Sequence, residues 1–174
     1  MPVISTKRLQ LLALTAGQLR LYLVDPGRLE EALNLQPGLA PAGQALRRAI
    51  GLKLQDMAGL DERLLAWHTY WLVIVSERQT GAGLVGFKGS PDENGQVELG
   101  YGIEPSDRSR GYATEAVGAL VEWAYASPEC LAVTARTQAT NEVSMAVLRK
   151  VGFQPNGSEN GQLLWRLKKG THDV

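Results

Sequence analysis

Cysteine and histidine are scarce in this chain, and their scarcity excludes two kinds of site. Cys130 is the single cysteine among 174 residues, so no internal disulfide can form. It stands in the apolar stretch CLAV, which predicts a small buried side chain. The two histidines, His68 and His172, are far apart and do not predict a metal site. We therefore expect neither a disulfide nor a metal centre.

Long apolar runs and an excess of one charge are also missing. Lys plus Arg and Asp plus Glu number 18 each, so the formal net charge is zero. Surfaces that bind nucleic acid usually carry an excess of Lys and Arg, so we predict no nucleic-acid partner. No apolar run is long enough to cross a bilayer, and the N-terminus lacks the apolar core of a signal peptide. The sequence predicts a cytoplasmic protein without a membrane partner.

The length and the order of the predicted elements indicate one α/β domain over residues 1–174. Helices are predicted between an N-cap at Thr15 and Asp25, and over residues 26–33, 46–57, 110–126 and 141–151. Strands are predicted over residues 8–14, in YWLVIV from residue 70, over 84–88, 96–103 and 131–137, and in LLWRL near the C-terminus. An initially antiparallel sheet followed by β-α-β-α-β is a mixed α/β architecture.

A glycine motif at residues 81–86 suggests one function that the next residues exclude. GAGLVG fits the G-x-G-x-x-G pattern of a dinucleotide-binding turn, which needs a helix that begins at its glycines. The following residues, FKGSPDENG, cannot begin a stable helix. We interpret the glycines as a hairpin turn and exclude a Rossmann oxidoreductase.

Strand, turn and helix do follow in the required order in VELGYGIEPSDRSRGYATEA, residues 97–116. Gly111 lets the backbone approach a ligand closely, and free N–H groups at the helix start would hold a pyrophosphate. Arg108 and Arg110 can add charge-assisted hydrogen bonds to phosphate oxygens. An ordinary basic loop before an amphipathic helix is the alternative interpretation.

These residues resemble a known family. Arg108-x-x-Gly111-x-Ala113 is similar to the R/Q-x-x-G-x-G/A acetyl-CoA signature of the GNAT superfamily of N-acetyltransferases. RGYATEA resembles the branch that includes ribosomal-protein-alanine acetyltransferases, and STKRLQL and NEVSMAVLRKVGF agree in order and spacing. The resemblance implies a mixed, mostly antiparallel central sheet with splayed middle strands, flanked by helices. It also implies acetyl-CoA as cosubstrate, with its pantetheine arm between the splayed strands.

The resemblance also assigns residues to the cosubstrate. Backbone groups near Ile103 would hold the pantetheine arm, and Asn141 matches a family residue that contacts this arm. The amides of residues 108–114 would hold the pyrophosphate. The residues of this turn that we assign to binding are Arg108, Arg110, Gly111, Tyr112, Ala113 and Thr114.

Glu98 is the candidate base. Alternation along residues 96–104 puts it on one strand face with Gly100 and Gly102, where missing side chains leave room for a ligand. By resemblance, Glu98 matches an acidic position that many GNAT enzymes use as general base, often through water. The alternative is a solvated strand glutamate.

Ser144 is the candidate proton donor. It completes the N-x-x-S pattern of the resembling branch, in which this serine is a proposed donor to the CoA sulfur. Simple capping of the helix by Asn141, with Ser144 in the first turn, is compatible with that role. Many GNAT enzymes have a tyrosine seven residues after this asparagine, but Leu148 stands there and excludes a phenol donor at that position.

Together these residues predict an acetyl-CoA-dependent N-acetyltransferase that acts in a ternary complex. The acceptor is a primary amine, on a protein N-terminus or a small molecule. A non-catalytic acyl-CoA-binding module is the alternative, and the sequence does not decide between a monomer and a homodimer.

Overall fold

The computed structural model describes residues 1–170, and His172 lies outside this range. One sheet runs through the described residues. Its strands are β1 (Val3–Ser5), β2 (Leu9–Ala13), β3 (Tyr70–Val75), β4 (Thr80–Phe87), β5 (Gln96–Ile103), β6 (Ala132–Gln138), β7 (Gln154–Glu159) and β8 (Gln162–Lys168). Their order is β1-β2-β3-β4-β5-β6-β8-β7. Neighbouring strands are antiparallel except β5 and β6, which are parallel.

The helices of the described residues are α1 (Ala16–Val24), α2 (Pro26–Ala32), α3 (Gln44–Asp56), α4 (Leu65–His68), α5 (Tyr112–Tyr125) and α6 (Glu142–Val151). Five of them begin and end close to the predicted positions, and α4, a single turn, was not predicted. Thr15 caps α1 as predicted, because its hydroxyl accepts from Gln18 N at 3.2 Å and its N–H donates to Gln18 Oε1 at 2.8 Å. Across residues 1–170, no helix has the length and apolar character that a membrane span requires. Nor do His, Cys, Asp or Glu side chains of these residues form a metal-binding group.

The two faces of the sheet have different covers. Helices α5 and α6 pack on one face through a large apolar core, to which β3 contributes Trp71 and Val73. Helices α1 to α3 pack on the opposite face, to which β3 contributes Leu72 and Ile74. Alternation along a strand produces this division. Cys130 is fully buried, as predicted.

Strands β5 and β6 pair over only half of their length. Their register begins at Gln96↔Ala132 and ends at Leu99↔Ala135. Strand β5 continues to Ile103 and β6 continues to Gln138, so the two strands diverge beyond that point. The mixed, mostly antiparallel sheet with splayed middle strands is therefore confirmed.

The predicted hairpin turn at residues 81–86 is wrong, because these glycines lie inside β4. The turn comes earlier, at residues 76–79. A Cβ at Gly83 would lie 2.1 Å from the carbonyl oxygen of Gly102, and one at Gly86 would lie 2.7 Å from that of Thr69. The glycines are needed because neighbouring backbone approaches them closely. No helix begins at them, in agreement with the exclusion of a dinucleotide-binding turn.

Lys53 attaches α3 to the sheet from a buried position, with 8% of its surface exposed. Its ammonium donates to the carbonyl of Phe87 at 2.5 Å and to that of His68 at 3.4 Å. Burial lowers the pKa of Lys53 from 10.5 to about 8, against the opposing effect of Asp56. The native state therefore binds fewer protons than the unfolded state between these two pH values.

Stability is consequently expected to rise with pH across that window. We compare the free energies of unfolding of the wild type and Lys53→Met. The wild-type value minus the variant value should increase by about 3 kcal/mol between pH 7 and pH 11. Urea titrations of both proteins at several pH values measure this difference. Lys169→Met is the control, since Lys169 is exposed and donates to Ser127 O at 3.0 Å. A pH-independent difference for Lys53→Met would contradict the assignment.

Candidate functional site

A cleft of about 660 Å³ opens where β5 and β6 diverge. The end of β5 forms one wall, the first turns of α6 form another, and the turn before α5 closes one end. Most of the predicted cosubstrate residues lie here together with Ser144: Ile103, Arg108, Gly111, Tyr112, Ala113, Thr114 and Asn141. The fold therefore brings together residues that are as many as 41 positions apart in sequence, from Ile103 to Ser144.

The open edge of β5 presents backbone polar groups to this cleft. Glu104 N donates to Ala82 O at 2.9 Å. The N–H and C=O groups of the even-numbered residues at this end of β5 therefore point towards β4. Strand alternation then directs the N–H and C=O groups of Tyr101 and Ile103 into the gap, beyond the last residue paired with β6. Arg108 Nε already donates to Ile103 O at 3.1 Å. An extended ligand with amide groups can pair with such an edge as an added strand does.

The start of α5 has the features of an anion-binding site. Gly111 is the N-cap residue with a φ of 79°, and it has no side chain to satisfy the helix amides. Glu115 N donates to Gly111 O at 3.1 Å and closes the first turn. The N–H groups of Tyr112, Ala113 and Thr114 precede it, and in an α-helix they have no carbonyl partner within the helix. Their direction and the helix dipole favour a phosphate at this end of the cleft.

A buried carboxylate holds the turn in place. Asp107 is 3% exposed, and its Oδ1 lies 2.5 Å from Arg78 Nη2 and 3.8 Å from Arg110 Nε. Arg8 Nη1 donates to Arg110 O at 2.8 Å. The side chain of Arg110 is therefore directed to Asp107, and Arg110 does not line the cleft, whereas Arg108 does.

We expect Asp107→Asn to lower the free energy of unfolding by about 1–3 kcal/mol, because it removes the charge of a buried carboxylate that accepts a charge-assisted hydrogen bond from Arg78. Urea denaturation measures the change. Asp61→Asn is a matched control, since Asp61 forms a solvent-exposed pair with Arg63 at 2.7 Å. The free energy of unfolding of that control should equal that of the wild type within error. Equal behaviour of the two variants would show that Asp107 does not hold the turn.

Glu98 does not line this cleft. It lies on the opposite face of β5, beside a second depression of about 300 Å³ that Thr134 and Arg136 also line. Its carboxylate contacts Lys88 Nζ closely, and Arg136 Nε at 3.3 Å. Arg136 in turn contacts Glu159 at 2.6 Å. The Glu98 carboxylate is therefore paired with two cations.

The strand face next to Glu98 is bare. The predicted alternation is present, and no atom of the described residues lies within 4 Å of an ideal Cβ at Gly100 or Gly102. Glu104 lies at the far end of this face, where Ala40 N donates to its Oε1 at 3.4 Å. Burial raises the pKa of Glu104. An acceptor molecule therefore has room against the backbone between two carboxylates.

Asn141 and Ser144 begin α6. Asn141 Oδ1 accepts from Ser144 N at 3.1 Å, so Asn141 is the N-cap, as the capping interpretation requires. Leu148 is fully buried, one turn further on, and offers no polar group. Tyr101, which we did not single out, donates its hydroxyl to Ser144 O at 3.1 Å from the opposite wall.

Sequence reasoning also missed part of the α6 wall. Val143, Val147 and Lys150 line the cleft, and 71% of Val143 is exposed. Their i, i+4, i+7 spacing on one helix face was the signal that could have identified them. Lys150 lies in the last turn of α6, where a cation complements the helix dipole, and its position in the cleft was not predicted.

Comparison with known proteins agrees with this geometry. The sequence profile of the Acetyltransferase (GNAT) domain matches residues 37–154. The chain therefore belongs to the GNAT acetyltransferase family, and the resemblance seen in the sequence is confirmed. It is 36% identical over 83 residues to the uncharacterized N-acetyltransferase YjdG of Bacillus subtilis strain 168, a match that covers 48% of this chain and 49% of YjdG. The chain spans about half the length of the curated relatives that it matches.

Solved structures share the whole fold. One is the RimL ribosomal L7/L12 α-N-protein acetyltransferase in complex with coenzyme A, with a TM-score of 0.67 and 17% identity, covering 96% of this chain and 98% of that one. Another is the ribosomal-protein-S5-alanine acetyltransferase from Vibrio fischeri, with a TM-score of 0.68 and 16% identity, covering 98% of both chains. At these identities the likeness concerns the fold alone.

Proposed function

We propose that this protein transfers the acetyl group of acetyl-CoA to a primary amine in a ternary complex. One observation carries the proposal: a single cleft joins the open N-terminus of α5 to the unpaired edge of β5. A phosphate-bearing thioester with a long amide-containing arm fits both features. Family membership and the coenzyme A bound to RimL support the same cosubstrate.

The chain offers groups for each part of acetyl-CoA. The amides of residues 112–114, with Arg108, would bind the pyrophosphate. Arg110 would act there through its backbone, because its side chain is directed to Asp107. The backbone of Tyr101 and Ile103 would pair with the pantetheine amides, and Asn141 lies across the cleft from them. This arrangement leaves the thioester near the point at which β5 and β6 diverge.

The reaction forms a C–N bond and breaks a C–S bond. The amine enters on the bare face of Gly100 and Gly102, loses a proton to Glu98 directly or through water, and attacks the thioester carbon. A backbone N–H at the unpaired edge of β5 would stabilise the developing oxyanion. Ser144 assists the departure of the thiolate. Holding amine and thioester in register can supply an effective molarity of ~10⁵ M or more.

The position of Glu98 supports one class of acceptor. Glu98 lies outside the cleft and contacts Lys88 and Arg136, so it is remote from the thioester. An α-amino group with a reference pKa of ~7.7–8.0 needs less help from a remote base than a lysine amine at ~10.4. We therefore favour a protein or peptide N-terminus over a lysine side chain, with small amines as the remaining class. RimL, which shares the fold, is named as an α-N-protein acetyltransferase.

Thiol release from acetyl-CoA over an amine panel tests this proposal. Peptides that begin with Ala or Ser should react faster than the same peptides with a blocked N-terminus and a free lysine. Small amines form the third group of acceptors in the panel. Tight acetyl-CoA binding with no turnover over the whole panel would favour the non-catalytic acyl-CoA-binding module, a reading that the apolar Leu148 supports.

A further inference from the structure

Tyr101 occupies the part of the cleft where the leaving sulfur would lie, and this inference rests on the function proposed above. It is the cleft-lining residue of β5 nearest to Leu99, the last residue that pairs with β6. The phosphate end of the cleft, at Gly111, is at the opposite end of the β5 wall. A thioester bound with its phosphates on α5 therefore ends beside Tyr101.

The hydroxyl of Tyr101 is held on the α6 wall. The ring is partly buried and packs against the core beneath α5 and α6, and its Oη donates to Ser144 O at 3.1 Å. Two hydroxyl groups thus lie at this end of the cleft, one from Tyr101 and one from Ser144. Rotation about the Cζ–Oη bond would release the phenol proton from the Ser144 carbonyl.

We propose that Tyr101 is the catalytic proton donor to the leaving thiolate, and that Ser144 contributes only a hydrogen bond to the sulfur. Acidity decides between the two hydroxyls. A phenol has a reference pKa of ~10 and a thiol one of ~8.5, whereas a serine hydroxyl does not titrate in the range of protein side chains. Proton transfer is most efficient when the acid is matched to the group it protonates. Burial raises the pKa of Tyr101, so its phenol keeps the proton through neutral pH.

The proton and electron balance closes without a further reactant. The amine nitrogen bonds to the acetyl carbon while the C–S bond breaks and its electron pair stays on sulfur. The phenol proton passes to sulfur and gives free coenzyme A, leaving a phenolate. The proton that left the amine returns to the phenolate through water. The products are the acetylated amine and the thiol.

The test compares three variants with acetyl-CoA and a peptide that the wild type acetylates. Tyr101→Phe should lower kcat about 10²-fold, the size of a general-acid contribution, and leave acetyl-CoA affinity unchanged. Ser144→Ala should lower kcat by a smaller factor. Tyr125→Phe is the matched control, because Tyr125 donates to Leu167 O at 2.7 Å in a similar helix-to-strand bond outside the cleft. That control should keep the wild-type kcat.

A fluorinated tyrosine at position 101 gives a readout that a structural role would not change. It preserves the ring and its hydrogen bond but makes the phenol more acidic, so the alkaline limb of the kcat profile should move to lower pH. This variant also decides the question if Tyr101→Phe fails to fold. An unmoved alkaline limb, wild-type kcat in Tyr101→Phe, or a larger loss in Ser144→Ala would overturn the inference. If the wild type itself forms no amide with any amine, the proposed function fails with it.

Discussion

Glu98→Gln is expected to lower kcat by about 10²–10⁴-fold at neutral pH, because glutamine cannot take a proton from the amine. Acetyl-CoA affinity should not change, since Glu98 lies outside the cleft that holds the other site residues. With a peptide α-amine the loss should shrink as the pH rises above ~8, where solvent already keeps the amine neutral. Steady-state kinetics from pH 6 to pH 10, with a separate binding titration, measure both quantities.

The control must separate the base from its ion pairs. Glu159→Gln removes the other carboxylate that contacts Arg136, at 2.6 Å, but Glu159 lies on β7 rather than beside the bare face of β5. This variant should keep the wild-type rate. Equal losses in Glu98→Gln and Glu159→Gln would mean that the ion-pair network matters and that Glu98 is not the base.

Gly111→Val is expected to weaken acetyl-CoA binding at least tenfold. Gly111 has a φ of 79°, a conformation that costs an L-residue about 1–2 kcal/mol and a β-branched residue more. A Cβ there would also lie 3.2 Å from Arg8 Nη2, which helps to hold the turn. The variant would relieve the backbone strain and the close contact with Arg8 by moving the amides of residues 112–114 away from the phosphate position. Isothermal titration with acetyl-CoA measures the affinity.

Two matched substitutions bracket this result. Gly111→Asn should lose less affinity, because asparagine adopts left-handed backbone conformations more readily than valine. Gly118→Ala changes a glycine within α5 that has open space around it, and should leave affinity unchanged. It should also raise stability by up to about 1 kcal/mol. If Gly111→Val binds acetyl-CoA as the wild type does, the anion is not held at this turn.

The sequence predicted the elements whose local signals are strong. Helix α6 has an N-cap at Asn141, an apolar face and a glycine at its C-terminus, Gly152, with a φ of 108°. Strand β5 alternates regularly, and its two bare glycines are visible in the sequence. Strand β7 was missed because QPNGSE is exposed throughout and has no apolar alternation. It forms only because it pairs with β8.

The candidate site was less predictable because its decisive contacts join distant segments. Local sequence suggested that Arg108 and Arg110 act alike, but the buried carboxylate of Asp107 takes the side chain of Arg110 and leaves Arg108 in the cleft. The cations on Glu98 come from the end of β4 and from β6, and no short-range pattern links them to it. The contact of Tyr101 with Ser144 likewise depends on how β5 faces α6. The assignments of Glu98 and Ser144 stay predictions.

We infer that the acetyl group moves from sulfur to nitrogen on this protein. The most direct measurement follows carbon-13-labelled acetyl-CoA and a peptide that begins with Ala or Ser by mass spectrometry and NMR. We expect one labelled acetyl group on the α-amine for each coenzyme A released. Labelled acetate in place of the amide, or acetyl-CoA that is bound and released intact across the amine panel, would contradict the claim.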